Sequence, residues 1–321
     1  MKSDRTVLDT FAADVVRDLQ RQPRQLQARY LYDALGSSLF DAICRLPWYH
    51  ITRAEARLLH RHAREIANTL LSREAGVTLV ELGCGNGEKL AALLDGIPQN
   101  VPADVHLIDI SVDALQATSA RISRFDNVAT TSHPAPYEEG LRAVQPTVQQ
   151  RPGALVLFLG SNIGNFDPPS AQHLLGAIRA PLAKGALLLL GADLVKPEAD
   201  LVLAYDDPLG VTAAFNKNLL VRVNRELDAD FDVTAFDHRA VWNARERRVE
   251  MHLVSRREQQ VRLAAAELTL GFAAGESIWT ESSYKYRPVD IDRMGTECGF
   301  SVLKQWIDDE AQFALTLFAA N

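Results

Sequence analysis

The segment VTLVELGCGNGEKL, residues 77–90, places Gly83, Gly85 and Gly87 between an apolar run and a helical pattern. Glycines at the end of a strand allow a tight turn and let a ligand approach the main chain closely. The helix that follows offers unpaired N–H groups at its start. Glu81 stands just before the loop, and a second acid, Asp109, ends the next apolar run in HLIDIS. A carboxylate there suits two adjacent ribose hydroxyls as a bidentate acceptor. The spacing separates two nucleotide readings. A dinucleotide fingerprint, G-x-G-x-x-G, requires a glycine three positions after Gly85, where this chain has Glu88. The form present is acid-x-G-x-G-x-G.

Other reactive side chains are sparse. Cys44, Cys84 and Cys298 are odd in number and far apart, so they form neither a disulfide framework nor a metal knuckle. A reducing cytosol is the simplest compartment. Cys84, inside the glycine loop, reads as a small residue beside a ligand rather than a redox centre. His60 and His62 lie two apart on a helical pattern and so face different sides, which opposes a metal pair. The 34 basic and 41 acidic residues give a net charge of -7, with no dense Lys/Arg run. That opposes a phosphate-tracking groove, and a small-molecule partner is expected in place of nucleic acid. The longest apolar runs, 154–159 and 186–190, fall far short of the ~20 residues of a membrane span. The first residues carry acids and no continuous apolar stretch, so no signal peptide is read.

These residues need a scaffold. A chain of 321 residues gives a prior of about two domains. Helices are expected over 7–19, 35–46 and 53–71. From residue 77 strands and helices alternate: strands at Val77–Leu82, 105–110, 127–131, 154–160 and 186–191, and helices after the loop, over Val112–Ile122 behind Ser111, and after Asp167. Nearly continuous apolar strands separated by helices indicate a parallel sheet covered on both faces. After Asp193 helices are expected at 197–205 and Val211–Leu227. A hairpin follows, 239–243 with 248–254, and antiparallel texture continues through 261–272. A helix at 290–299 and strands at 302–307 and 313–318 complete the sheet.

An acid before the loop and another after the second strand resemble the class I S-adenosylmethionine-dependent methyltransferases. Longer segments narrow the likeness: LYDALGSSLFDAICRLPWYHITRAEARLL (31–59), LFLGSNIGNF (157–166), GADLVKPEADLVLAYDDPLGVTAAFNKNLL (191–220) and WTESSYKYRP (279–288). Together they resemble the histidine-specific Nα-methyltransferases of ergothioneine biosynthesis, over nearly the whole chain. The resemblance implies that Tyr49, Asn165 and Tyr205 hold the substrate carboxylate. Tyr32 and Phe40 line the amine region, Glu281 and Ser283 hold the imidazole, and Met251 packs near the ring. Gly83, Gly85, Lys89 and Asp109 would bind the cofactor. The family often has an acidic–aromatic pair after the third strand, near adenine; by position the pair here is Pro136 and Tyr137. Tyr137 retains a ring for stacking, whereas Pro136 supplies neither carboxylate nor N–H. Singly, any of these tyrosines could be a core residue with a satisfied hydroxyl, and Met251 could be core filler. The weight lies in the joint match.

The expected architecture is therefore α/β, a Rossmann-like methyltransferase domain over 61–194 plus 287–321 and an α+β substrate domain over 1–60 plus 195–286. The expected activity is trimethylation of the L-histidine α-amino group to hercynine, with S-adenosylmethionine as methyl donor and no metal, by a cytoplasmic monomer with no membrane partner. Tyrosine hydroxyls and an Asn amide can donate to a carboxylate without carrying full charge, and Glu281 can accept an imidazole N–H. Placement supplies most of the rate in methyl transfer from a sulfonium, once the amine is neutral. Tyr32 is the candidate to position that nitrogen or relay its proton. A growing cationic head suits the ring face of Phe40. Two rivals remain: the same chemistry on another aromatic amino acid such as tryptophan, which Glu281 and Met251 oppose, and a nicotinamide-dependent oxidoreductase, which Glu88 opposes.

Overall fold

The structure is a computed structural model and describes residues 2–321. The chain divides into two compact units, residues up to 49 with 196–283, and residues 50–195 with 284–321.

The larger unit is built on one seven-stranded sheet. Its strands are β1 (Val77–Leu82), β2 (Ala103–Asp109), β3 (Val128–Pro134), β4 (Ala154–Phe158), β5 (Leu187–Asp193), β6 (Phe300–Asp308) and β7 (Phe313–Ala320), in the order β6-β7-β5-β4-β1-β2-β3. The first five are mutually parallel, and β7 runs antiparallel to both β5 and β6. Every residue of β1, β4 and β5 is buried, as expected for strands covered on both faces. β3 is an edge strand and is mostly exposed. The strand order reverses between β1 and β4, so the crevice outside their carboxyl ends is where this fold binds ligands.

The helix Ile51–Leu71 belongs whole to this unit. Ile51, Ala54, Leu58, Leu59, Ala63, Ile66, Ala67 and Leu70 form its buried stripe, with Glu55 among them. The division therefore falls after residue 49 and not after residue 60. A helix over Tyr137–Val148 was not expected, because Gly140 and Pro146 interrupt its pattern. Pro146 is tolerated in the last turn. Gly140 is needed for packing, since a Cβ there would lie 2.3 Å from Ile108 Cγ2.

The smaller unit holds a four-stranded sheet in the order Arg24–Gln25, Ser277–Tyr284, Arg248–Ser255, Phe236–Asn243. The last two form the expected hairpin, Asn243 pairing with Arg248. The 261–272 stretch resolves into two paired strands, Gln259–Leu263 and Leu268–Phe272, joined through Glu267 at positive φ. Sequence reading missed the Ser277–Tyr284 strand, whose first residues pair with Arg24 and Gln25. Helices Ala34–Ile43, Glu198–Tyr205 and Val211–Leu227 accompany the sheet. Phe231, Phe236 and Phe272 pack with ring centroids 5.5–6.0 Å apart, an edge-on cluster that anchors this unit. Among the described residues no helix is long and apolar enough to cross a membrane.

Candidate active site

In the larger unit, β1 delivers the chain into the glycine loop. Gly83, Gly85 and Gly87 all have positive φ, at 76°, 55° and 74°. Only glycine adopts this conformation cheaply. The three differ in surroundings. A Cβ on Gly87 would lie 3.0 Å from the Thr118 main chain, so that glycine serves packing. Among the described residues a Cβ on Gly85 would meet nothing within 4 Å, so this glycine faces open space. A Cβ on Gly83 would lie 2.8 Å from Tyr137 Oη.

Asp109, at the end of β2, accepts from the Ser111 N–H at 2.8 Å, and the Gly85 and Cys84 N–H groups also point to it. Burial raises its carboxyl pKa, and these N–H groups offset part of that rise. Cys84 is buried, its Sγ 3.8 Å from Asp109 Oδ2, and burial pushes its thiol well above the ordinary range. A thiol so disposed is inert. Tyr137 opens its helix behind Pro136, packs its ring edge-on against Phe158 at 5.5 Å, and lies near Asp109. Pro136 is exposed and serves as the N-cap residue.

Lys89 Nζ lies 2.6 Å from Glu55 Oε2. Glu55 is fully buried, and both its oxygens accept from the Gly160 N–H, at 2.8 and 2.9 Å. Sequence reading missed Glu55. Its signal was an acid on the apolar stripe of an amphipathic helix, where an unpaired charge is costly. Glu81 is 2% exposed, and burial raises its carboxyl pKa to about 8, against the pull of Lys89 and helped by Glu55 and Asp109. Among the described residues its Oε2 has no hydrogen-bond partner. Open space at Gly85, positive φ through the loop and a carboxylate at the end of β2 fit a nucleoside carrying a cationic sulfonium. Asn165, exposed, ends the short helical turn Asn162–Asn165 that follows β4.

The remaining candidates lie in the smaller unit, and five of them form a continuous chain of contacts. The Tyr32 and Phe40 rings are 5.5 Å apart, Phe40 and Tyr49 6.3 Å, and Tyr49 and Tyr205 6.2 Å. Tyr205 Oη donates to Ser283 Oγ at 2.7 Å. Phe215, which sequence reading missed, joins this cluster 5.5 Å from Tyr32 and 6.0 Å from Phe40. Its only sequence signal was an apolar position on a helix.

Two of the aromatics, Tyr32 and Tyr205, are held by polar contacts on neighbouring residues or on their own main chain. Asp33 caps the helix Ala34–Ile43, accepting from the Gly36 N–H at 2.8 Å, Asn218 Nδ2 at 2.7 Å and Arg225 at 2.7 Å. Burial opposes ionisation of Asp33, but these donors win and hold its carboxyl below the usual range. That fixes the neighbouring Tyr32. The Tyr205 carbonyl accepts from His238 Nε2 at 2.8 Å, while His238 Nδ1 meets Asn216 Nδ2 at 2.9 Å. This pattern needs a neutral imidazole, in accord with the lowering of the His238 pKa by burial. Burial, followed by the nearby Tyr205, Cys44, Tyr32 and Glu281, lifts the Tyr49 phenol well above its ordinary range. Tyr49 is therefore a hydrogen-bond donor throughout the physiological pH range. Glu281 is half-buried on Ser277–Tyr284, where the alternation of burial breaks at residues 281 and 282. Met251 is buried on Arg248–Ser255, its carbonyl accepting from Thr280 Oγ1 at 2.9 Å.

Residues 11–320 match the family described as histidine-specific methyltransferase, SAM-dependent. The chain is 43% identical over 313 residues to a histidine N-alpha-methyltransferase of Mycobacterium tuberculosis, covering 95% of this chain and 94% of that protein. It is 42% identical over 316 residues to the protein of the same name from Mycolicibacterium smegmatis, covering 96% and 94%. A 4-dimethylallyltryptophan N-methyltransferase of Claviceps fusiformis is 25% identical over 324 residues, covering 94% and 90%. The match spans both units of the fold, and on that ground the chain belongs to the S-adenosylmethionine-dependent histidine-specific methyltransferases.

Proposed function

We propose that this protein transfers methyl groups from S-adenosylmethionine to the α-amino nitrogen of L-histidine, three times in succession, giving hercynine on the route to ergothioneine. The observation that carries this reading is the 43% identity to a histidine N-alpha-methyltransferase across 95% of the chain. The contact chain from Tyr32 to Ser283 supports it, because these are the side chains that the resemblance assigns to an amino acid. The tryptophan alternative is weaker, since the tryptophan-derivative relative shares 25% identity. Family membership closes the nicotinamide reading.

In this reading Gly83, Gly85, Lys89, Asp109, Pro136 and Tyr137 hold the methyl donor, with Asp109 on the ribose hydroxyls. When bound, the donor supplies an electrophilic methyl on sulfur. The chain's own residues place the nucleophile. Tyr49 and Asn165 donate to the substrate carboxylate, and Tyr205 joins them by turning its single O–H proton away from Ser283 Oγ, to which it donates in the free protein. The neutral state of Tyr49 suits it to this task, because an ionised phenol would repel the anion. Glu281 accepts an imidazole N–H, Ser283 serves the other ring nitrogen, and Met251 packs beside the ring. Tyr32 orients the amine, and Phe40 offers a ring face to the increasingly cationic head. The amine must lose a proton before each transfer, and its ordinary pKa of about 8 already leaves a usable neutral fraction. No strong general base is required, and most of the rate comes from alignment.

We further propose that the enzyme acts as a cytoplasmic monomer on a small-molecule substrate, without nucleic acid or membrane partners. Calorimetric titration with L-histidine in the presence of S-adenosylhomocysteine tests the substrate assignment. Tight binding of histidine and none of tryptophan is expected; the reverse would overturn it.

A further inference from the structure

Asn162 lies in a place that neither the glycine loop nor the substrate contacts explain. Just past β4 and Leu159 come two successive residues at positive φ, Gly160 at 78° and Ser161 at 58°. Ser161 is a non-glycine residue in the left-handed region, which costs free energy and needs support. The support is visible: Ser161 is 4% exposed, and its Oγ accepts from the Asp193 N–H at 2.9 Å. This kink swings the next side chain, Asn162, back across the carboxyl end of the sheet. Two glycines locate its amide. A Cβ on Gly83, just past β1, would lie 3.0 Å from Asn162 Nδ2. A Cβ on Gly160, at the end of β4, would lie 3.4 Å from Asn162 Oδ1 and 2.9 Å from Lys89 Nζ. The amide thus bridges the ends of the two strands at which the strand order reverses. It is partly exposed, and no hydrogen bond among the described residues occupies either its donor or its acceptor.

Sheet geometry indicates which part of a ligand reaches it. Asp109, the ribose candidate, ends β2, and β1 separates β2 from β4. Neighbouring strands lie about 4.8 Å apart, so β4 is roughly 10 Å from β2 across the sheet. A nucleoside anchored at Asp109 therefore extends its 5′ substituent over Gly83 toward Asn162. In S-adenosylmethionine that substituent ends in an α-amino acid. A zwitterion presents one acceptor group and one donor group, and a carboxamide presents one of each in return. Being neutral, the amide does this without adding charge near the sulfonium.

We propose that the Asn162 amide, beside Lys89, holds the amino-acid end of S-adenosylmethionine, its NH₂ meeting the carboxylate and its oxygen the ammonium. Asn162 is thus a cofactor-positioning residue distinct from Asn165, three residues on, which is assigned to the substrate. The proposal rests on the methyl-donor reading above.

The test compares two ligands that share the nucleoside and differ in that end: S-adenosylhomocysteine, and 5′-methylthioadenosine, which lacks the amino acid. Calorimetric dissociation constants are measured for the wild type, Asn162→Ala and Asn162→Leu, the second keeping the side-chain volume. Both variants are expected to bind S-adenosylhomocysteine at least ten-fold more weakly, with 5′-methylthioadenosine affinity changed less than three-fold. Histidine affinity measured without the cofactor product is expected to be unchanged. Unaltered S-adenosylhomocysteine binding would overturn the proposal. So would an equal loss for both ligands, which would assign the amide to the nucleoside or to the fold. If the wild type bound neither ligand, the methyl-donor reading itself would fail instead.

Discussion

The two regions that carry the site residues are built on different principles. The glycine-loop end of the larger unit is a main-chain device: three glycines at positive φ, a carboxylate fed by N–H groups, and buried charges in mutual contact. The aromatic region of the smaller unit is a side-chain device: five aromatic rings in edge-on contact, two hydroxyls in a hydrogen bond, and an acid beside them. The first depends on backbone conformation and buried electrostatics. The second depends on shape and on hydroxyls held at fixed positions. Breaking the buried ion pair of the first region should therefore damage the fold along with cofactor binding, whereas substitutions in the second should damage histidine affinity with the fold intact.

The largest expected effect is in the first region. Glu55→Ala removes the buried partner of Lys89 and both acceptors of the Gly160 N–H. Loss of one member of a buried pair costs about 3 kcal/mol or more. Denaturant titration should show this loss, and S-adenosylhomocysteine binding should weaken with it. A stability change under 1 kcal/mol would show that the pair is incidental.

Glu281→Ala tests the other region. The variant should melt within a few degrees of the wild type but bind histidine about 100-fold more weakly, because the imidazole loses a charged acceptor. S-adenosylhomocysteine affinity should change less than three-fold. Equal losses for the two ligands would erase the contrast between the regions.

Glu81 sharpens the contrast through pH. Its folded pKa of about 8 lies above the ordinary carboxylate value, so the folded state keeps a proton that the unfolded chain has released. This contribution is fully present below the unfolded pKa and is lost as pH rises toward 8, so stability falls over that window. Glu81→Gln should abolish that fall and exceed the wild type in stability at pH 8 by a few kcal/mol at most. Chemical denaturation at pH 5 and pH 8 checks the sign. A variant whose stability tracks the wild type at both values would contradict the assignment.

The smallest effect is expected for Tyr205→Phe, which removes only the hydroxyl that donates to Ser283. About ten-fold weaker histidine binding is expected, the cost of one hydrogen bond to a charged or buried partner. A change in stability greater than 2 kcal/mol would instead mark Tyr205 as a structural residue.

The same contrast governs how much was legible in the sequence. The glycine loop and the acids at positions 81 and 109 could be read from spacing alone, because glycine adopts those φ values at the least cost and only certain positions lie at strand ends. Glu55 left a visible trace, an acid on an apolar stripe, that pattern reading passed over. The helix Tyr137–Val148 did not announce itself, because the Gly140 that weakens its pattern is there to admit Ile108. Asn162 is one of two asparagines in SNIGN, and nothing in that string shows that Gly160 and Ser161 both turn left-handed and bring the first of them beside Gly83. In the smaller unit, Tyr32, Phe40, Tyr49, Tyr205 and Ser283 are spread across some 250 residues of sequence. No periodicity links them, and only the long matched segments did. Phe215 fell outside that reading because a buried phenylalanine on a helix is the ordinary case.

The central claim is tested most directly by one incubation. The purified enzyme is mixed with S-adenosylmethionine and all twenty amino acids, and the products are resolved by mass spectrometry with fragmentation. The account predicts histidine carrying up to three methyl groups, all on the α-nitrogen, with the other amino acids unchanged. Methylation of tryptophan in preference to histidine, or of an imidazole nitrogen, would contradict it.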